Sequence, residues 1–197
     1  PKQTKKMKSR FFLVLGLCLA IATTGFSQIG AASSKKAINL NEEIKLDGKV
    51  RYGKLANGLT YYIKSNTKPE NRAEFQIAVN AGSVLEAPDQ VGLAHFSEHM
   101  GFNGTKQFPG NSLIDNLEKE GIVFGREINA YTGFDQTVYM VTLPTDKKEL
   151  FDMGLKILDG WAFGMLKTET ENNKERGVII EEWRMEQGAQ DRIQKKT

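Results

Sequence analysis

The sequence predicts an α+β fold, in which an antiparallel sheet carries helices on one of its faces. One observation behind this prediction is that strand-like segments are grouped around helical stretches and are joined by short turn signals, as in hairpins. A second is that residues 74–80 alternate polar and apolar side chains, which is typical of a strand with one buried face. Hairpins combined with separate helices favour an antiparallel sheet over a parallel one.

Five segments have the composition of strands. The dipeptide Asn57-Gly58 separates the first two and is a strong signal for a hairpin turn. A turn around Gly133 is expected to join the last two. The predicted strands are Tyr52–Leu55, Leu59–Lys64, Glu74–Asn80, Glu127–Tyr131 and Thr137–Leu143.

Four segments are predicted to be helical. Gly101 and the Asn103-Gly104 pair are expected to stop the first helix, and Gly121 the second. The third has apolar residues along one face, and the fourth opens with a capping box and runs toward the C-terminus. The predicted N-caps of the four helices are Asp89, Ser112, Thr145 and Thr168.

The charge of the chain is unevenly distributed. Of 27 basic residues, five precede residue 11, and all 24 acidic residues follow residue 27, so residues 28–197 carry 22 basic and 24 acidic side chains. This part has no basic excess, and we therefore expect no nucleic-acid partner. A hydrophobic fraction of 40 % is enough for a sizeable core.

The N-terminal residues resemble an export signal. A lysine-rich start precedes a 12-residue apolar run, Phe11–Ala22, which is too short to span a bilayer and is followed by small and polar residues. We predict a signal peptide over residues 1–27, with Met7 as a possible start and cleavage after Ser27 or Ala32. The alternative is a membrane anchor or a buried helix. The prediction places the mature protein in the periplasm or outside the cell, without a membrane partner.

Cysteine use agrees with this picture. Cys18 is the only cysteine and lies within the apolar run, so the mature chain would have no disulfide and no thiolate ligand. Leu17 precedes it where lipoprotein processing requires a small residue, which argues against a lipid anchor. Residues 28–50 are predicted to be an extended lead-in and residues 51–197 a domain that is incomplete at its C-terminal end.

The chemistry of the chain centres on His95-Phe96-Ser97-Glu98-His99. These are the only two histidines, and residues four apart share a face of a helix, so both imidazoles could bind one Zn²⁺. Glu98 lies beside the same position, three residues after His95. The order His-x-x-Glu-His is the inverted zincin motif. The alternative is a chance pair of surface or core histidines.

A zinc that acts on substrates usually has a third protein ligand. Glu175 and Glu182 lie seven residues apart, so they share a face of the predicted fourth helix near Val178 and Ile179. Carboxylates on an apolar face need a partner, because an unpaired buried charge is costly. The alternative is that Glu175, Glu182 and their neighbour Glu181 are solvated helix residues.

Several segments together resemble the pitrilysin/insulysin family of inverted zinc metallopeptidases, which includes the mitochondrial processing peptidases. The resemblance runs from about Tyr52 to Gln194 and is most similar to large periplasmic bacterial members, of which this chain would be the N-terminal catalytic domain. The segments that carry it are Gly92–Met100, Gly104-Thr105, Phe108-Pro109, Asn129–Thr132 and Glu175–Glu182.

The resemblance implies a set of roles. His95, His99 and Glu182 would bind one Zn²⁺ per chain, Glu98 would be the general base, and Glu175 would hold a ligand histidine. Asn129 is a candidate substrate contact, or alternatively a turn residue at a strand end. The substrate would be a peptide or unfolded polypeptide, added as a strand at a sheet edge and enclosed by further homologous domains of a longer chain.

Three other functions would use parts of the same sequence. One is an insulysin-like binding subunit without activity, which the intact His95, Glu98, His99 and Glu182 argue against. A second is a fragment that is inactive without its partner domains. A third is an S-ribosylhomocysteine lyase, which also has an inverted motif but uses a cysteine that the mature chain would lack.

Overall fold

The computed structural model describes residues 41–188, and the chain divides into two compact units, Pro1–Lys64 and Ser65–Thr197. The predicted signal peptide, residues 1–27, and the part of the lead-in before residue 41 lie outside the described residues. The predicted domain boundary at residue 51 stays a prediction.

The described part of the first unit is a hairpin. Strands β1 (Val50–Lys54) and β2 (Thr60–Lys64) pair antiparallel, with Tyr52 opposite Tyr62. Gly58 has φ 93° in the connecting turn, which a side chain at this position would disfavour. The hairpin predicted from Asn57-Gly58 is therefore confirmed.

The second unit contains a three-stranded antiparallel sheet. Its strands are β3 (Arg72–Val79), β4 (Ile128–Thr132) and β5 (Thr137–Pro144), in the spatial order β3-β5-β4. A tight turn in which the Gly133 amide donates to the Gln136 carbonyl joins β4 to β5. The register aligns Ile77, Tyr139 and Ala130 across the sheet, so these side chains share a face.

Four helices accompany the sheet: α1 (Leu93–Met100), α2 (Ser112–Lys119), α3 (Lys148–Phe163) and α4 (Glu169–Glu186). The predicted N-cap of α4 is confirmed, since the Thr168 hydroxyl accepts from the Glu171 amide at 3.3 Å. The predicted caps Asp89, Ser112 and Thr145 are wrong, because Gly92, Asn111 and Lys147 precede the helices. The Thr145 amide instead donates to the Asn71 carbonyl, which extends the pairing beside β3.

Helices α1 and α3 pack on one face of the sheet, as the sequence predicts, and α4 packs against α1. On α3, Gly154 allows the Phe75 ring to approach closely, and Trp161 stacks on Tyr139 with ring centroids 5.3 Å apart. On α1, the Ser97 carbonyl accepts from the Tyr139 hydroxyl at 3.1 Å. The core of buried side chains between these layers therefore anchors α1, which carries both histidines.

No helix between residues 41 and 188 is both long enough and apolar enough to cross a membrane.

Candidate metal centre

The N-cap of helix α1 lies three residues after the one predicted at Asp89. Gly92 lies at the N-cap with φ 94°, a left-handed conformation that interrupts a helix running from residue 88. The Glu86 carboxylate caps the helix from outside, since its Oε2 accepts from the Gly92 amide at 2.9 Å and its Oε1 from the Ala94 amide at 2.7 Å. The start is thus set by a side chain that precedes the helix by several residues.

The two histidines lie one turn apart on the same face of α1. Their Nε2 atoms are 3.1 Å apart and their rings are nearly perpendicular, at 85°. Two imidazole nitrogens that approach so closely need a proton or a cation between them, because two bare lone pairs repel. The arrangement brings together the pair that the sequence predicts.

Glu182 of α4 completes a triangle of ligand atoms. Its Oε2 lies 3.3 Å from Nε2 of His99 and 3.7 Å from Nε2 of His95. A point equidistant from three atoms at these separations lies about 2.0 Å from each, which matches the usual bond lengths of zinc to imidazole nitrogen and carboxylate oxygen. His95, His99 and Glu182 therefore form a group that could hold a metal ion.

Glu175 lies one layer behind the triangle and is only 7 % exposed. Its Oε1 is 2.7 Å from Nδ1 of His99, and its Oε2 accepts from Nδ2 of Asn103. A carboxylate accepts hydrogen bonds, so the His99 proton belongs on Nδ1 and the lone pair on Nε2 faces the triangle. The structure thus places Glu175 beside His99, and its role stays a prediction.

Glu181 differs from Glu182 although the two are adjacent. Its carboxylate accepts from Nη1 of Arg184 and its side chain is largely exposed. Glu181 therefore has a cationic partner of its own, on the solvent side of α4.

Glu98 is buried next to the histidines, with 8 % of its surface exposed. The Thr132 hydroxyl at the end of β4 donates to its Oε2 at 2.6 Å. Burial raises the pKa of the Tyr139 hydroxyl, and the nearby negative charge of Glu98 raises it further. The base candidate is thus held by a neighbouring strand and largely shielded from water.

The charge of this group favours a cation. Three carboxylates, Glu98, Glu175 and Glu182, surround two imidazoles. Glu175 and Glu182 pair with the histidines, and within residues 41–188 none of the three carboxylates pairs with lysine or arginine. Buried carboxylates without a positive partner are costly, and a divalent ion would offset that cost. The donor set of two nitrogens and one carboxylate oxygen fits zinc.

Asn129 is not part of this group. Asn129 and Ala130 are neighbours on β4, so their side chains lie on opposite faces of the sheet, that of Asn129 on the face away from α1. The Oδ1 atom of Asn129 accepts from the Ala130 amide at 2.9 Å. Its role as a substrate contact stays a prediction.

Sequence reasoning missed three residues that support the site. Asn103 was part of a helix stop, Thr132 was part of a segment that resembles the family, and Glu86 had no assigned role, yet each contacts α1 or Glu175. Only Thr132 had a signal in the sequence, its place in the Asn129–Thr132 segment. The other two contacts depend on how the loops fold.

The residues of this group lie in a range that matches a known protein family. A family model described as Insulinase (Peptidase family M16) matches residues 61–196. This range includes both histidines and the three carboxylates of the group.

Two curated relatives are both named probable zinc protease PqqL. The one from Haemophilus influenzae is 38 % identical over 159 residues, which are 81 % of this chain and 17 % of the relative. The one from Escherichia coli is 43 % identical over 143 residues, which are 73 % of this chain and 15 % of the relative. The chain thus spans less than a fifth of the length of these relatives.

A solved structure, described as the first half of the periplasmic protease PqqL from Escherichia coli, has a similar fold. The similarity has a TM-score of 0.71 at 41 % sequence identity and covers 75 % of this chain and 31 % of that one.

Proposed function

The chain belongs to the insulinase family of peptidases (peptidase family M16), and on that premise we propose that it supplies the zinc site of an endopeptidase. The observation that carries the proposal is the triangle of His95 Nε2, His99 Nε2 and Glu182 Oε2, whose size suits one zinc ion. Relatives named zinc proteases support it.

In this proposal His95, His99 and Glu182 are the ligands of one Zn²⁺ per chain. A bound zinc ion supplies Lewis acidity, which polarises a carbonyl group and makes a water molecule easier to deprotonate. Three protein ligands are typical of zinc sites that act on substrates.

Glu98 is the proposed general base. Thr132 donates to Oε2 of Glu98, so Oε1 is the oxygen left to accept a proton from the attacking water. The same carboxyl group then gives that proton to the amine nitrogen that leaves as the peptide bond breaks. Burial of Glu98 limits competing water, which favours a direct transfer.

Glu175 orients His99 in this scheme. By accepting the hydrogen bond from Nδ1, it keeps the Nε2 lone pair directed at the metal position. Asn103 donates to the other oxygen of Glu175 and so limits its rotation.

The proposed substrate is a peptide or an unfolded polypeptide that adds as a strand to β4. Within the described residues β4 is an edge strand, paired on one side with β5, and its last residue contacts Glu98. Main-chain pairing at such an edge binds many sequences. The relatives are much longer than the segment that they share with this chain. In this proposal, further homologous domains of a longer protein would enclose the peptide.

We also propose that the protein is exported to the periplasm. The basic start and the apolar run of residues 11–22 have the composition of a signal peptide. The similar Escherichia coli protein is described as a periplasmic protease. N-terminal sequencing of protein recovered from a periplasmic fraction tests this, and a mature chain that still begins near Met7 contradicts it.

The proposed chemistry is tested by Glu98→Gln in the full-length protein. The variant removes the proton acceptor and no ligand, so we expect zinc content to be unchanged and peptide turnover to fall by roughly 10²–10⁴-fold. Metal analysis and cleavage of a quenched fluorescent peptide measure the two quantities. Glu118→Gln, the same change on the exposed face of α2, is the control and should leave both unchanged. Turnover of Glu98→Gln within about threefold of wild type would contradict the assignment.

A further inference from the structure

The proposed roles leave one half-buried polar contact of α1 unexplained, that of the Glu86 carboxylate. Both of its oxygens accept from main-chain amides at the start of α1, Gly92 at 2.9 Å and Ala94 at 2.7 Å. Gly92 has no side chain to cap the helix. A negative charge beside the first turn is also favoured by the helix dipole.

Glu86 is itself fixed to the sheet. It directly follows the 3₁₀ turn Ser83–Leu85, whose first two amides donate to the carbonyls of Gly133 and Phe134 at 3.1 and 2.9 Å. A Cβ on Gly82 would stand 2.4 Å from the Gly133 oxygen, so the two turns touch along their main chains. Glu86 therefore links the start of α1 to the turn between β4 and β5.

His95 depends on this link more than His99 does. His99 is hydrogen-bonded through Nδ1 to Glu175, which fixes its ring from a second helix. In the described part of the chain, the polar contacts of the His95 ring all run through Nε2, to His99 and Glu182. The direction of Nε2 in His95 is thus set mainly by the main chain that carries it, and Ala94 is the residue immediately before.

We propose that Glu86 is a positioning residue of the zinc site: it fixes the first turn of α1 to the β4–β5 turn and so holds His95 in the ligand triangle. The same β4–β5 hairpin supplies Thr132, which holds Glu98. One hairpin thus orients a proposed ligand and the proposed base. This inference rests on the proposed zinc site and concerns metal binding rather than turnover.

The test compares Glu86→Ala, Glu86→Gln and Asp89→Asn in the full-length protein, with zinc affinity measured by competition with a chelating dye. Changes behind a metal ligand typically cost 10–100-fold in affinity, so we expect Glu86→Ala to weaken zinc binding by roughly tenfold. Glu86→Gln keeps one acceptor oxygen and should lie between Glu86→Ala and wild type. Asp89→Asn removes the same charge from an exposed residue of the same loop and should bind zinc like wild type.

Cobalt substitution separates positioning from a general loss of stability. The visible absorption of bound Co²⁺ reports ligand geometry, and we expect it to change in Glu86→Ala and to be restored partly in Glu86→Gln. Wild-type affinity and spectrum in Glu86→Ala would overturn the inference, even if its melting temperature fell. Equal weakening of zinc binding by Asp89→Asn would overturn it too, because the loss of a nearby negative charge would then explain the weaker binding without any contact to α1. Wild-type protein that binds no zinc would contradict the proposed function itself, and this inference with it.

Discussion

The two helices that form the candidate metal centre are held in different ways. Helix α1 is fixed to the folded core at its start, middle and end: Glu86 caps its first turn, the Tyr139 hydroxyl donates to the Ser97 carbonyl, and Nε1 of Trp161 donates to the Gly101 carbonyl at 3.0 Å. These partners belong to three other parts of the chain. The two histidines therefore lie on a preorganised element.

Helix α4 has much less burial. Of its residues whose exposure is described, Glu175 alone is buried. Trp183 is 59 % exposed and Met185 77 %, and Val178 and Ile180 are exposed as well. Its polar contacts with α1 and the loop after it are those of Glu175 and Glu182.

The two sides of the candidate site are therefore held in place by different sets of contacts. Hydrogen bonds to three other parts of the chain hold the helix of the two histidines, whereas α4 is held beside it by the contacts of Glu175 with His99 and Asn103 and of Glu182 with the histidines. Loss of zinc should therefore disturb α4 more than α1. The predictions below test this contrast.

The largest expected effect is on amide exchange. Zinc at 100 times its dissociation constant stabilises the bound form by about 2.7 kcal/mol, or about 100-fold in an opening equilibrium. We expect amide exchange in α4 to slow by up to that factor when zinc is added to the metal-free protein, and exchange in α1 to change much less. Equal slowing in both helices would remove the contrast between them.

A smaller effect is expected for Glu175→Gln. An amide can accept from Nδ1 of His99, but it has no charge to favour that proton and cannot accept equally at both ends. We expect zinc affinity to fall by roughly 10–100-fold while the protein stays folded. Glu171→Gln, one turn earlier on α4, is the control. Unchanged zinc affinity in Glu175→Gln would show that His99 is oriented without it.

The smallest effect is expected for Thr168→Ala. It removes the hydroxyl that caps α4, which typically costs about 1 kcal/mol. Because α4 contributes little to the core, we expect faster amide exchange in α4 and nearly unchanged exchange in β5. Thr170→Ala, two residues further on, is a matched control without the cap. A loss that spreads equally to β5 would mean that α4 unfolds together with the sheet.

Local patterns predicted much of the fold and of the site. The Asn57-Gly58 hairpin, the alternating strand β3 and the Thr168 cap depend on neighbouring residues, so the sequence alone indicates them. The spacing of four between His95 and His99, and of seven between Glu175 and Glu182, places each pair on one helix face.

Long-range contacts account for what could not be predicted. Aspartate is a favoured N-cap residue, which is why Asp89 was predicted. The Glu86 carboxylate and the left-handed Gly92 instead place the start of α1 further along the chain. Asn103 meets Glu175, 72 residues away, only because α1 and α4 lie side by side. No local pattern carries that information.

The measurement that tests the account most directly compares zinc content in Glu182→Gln and Glu181→Gln. The two residues are neighbours on α4, yet only Glu182 faces the histidines, whereas Glu181 pairs with Arg184. After dialysis, metal analysis should find one zinc per chain in wild type and in Glu181→Gln, and much less than one in Glu182→Gln. Equal zinc content in the two variants would contradict the assignment of Glu182 as the third ligand.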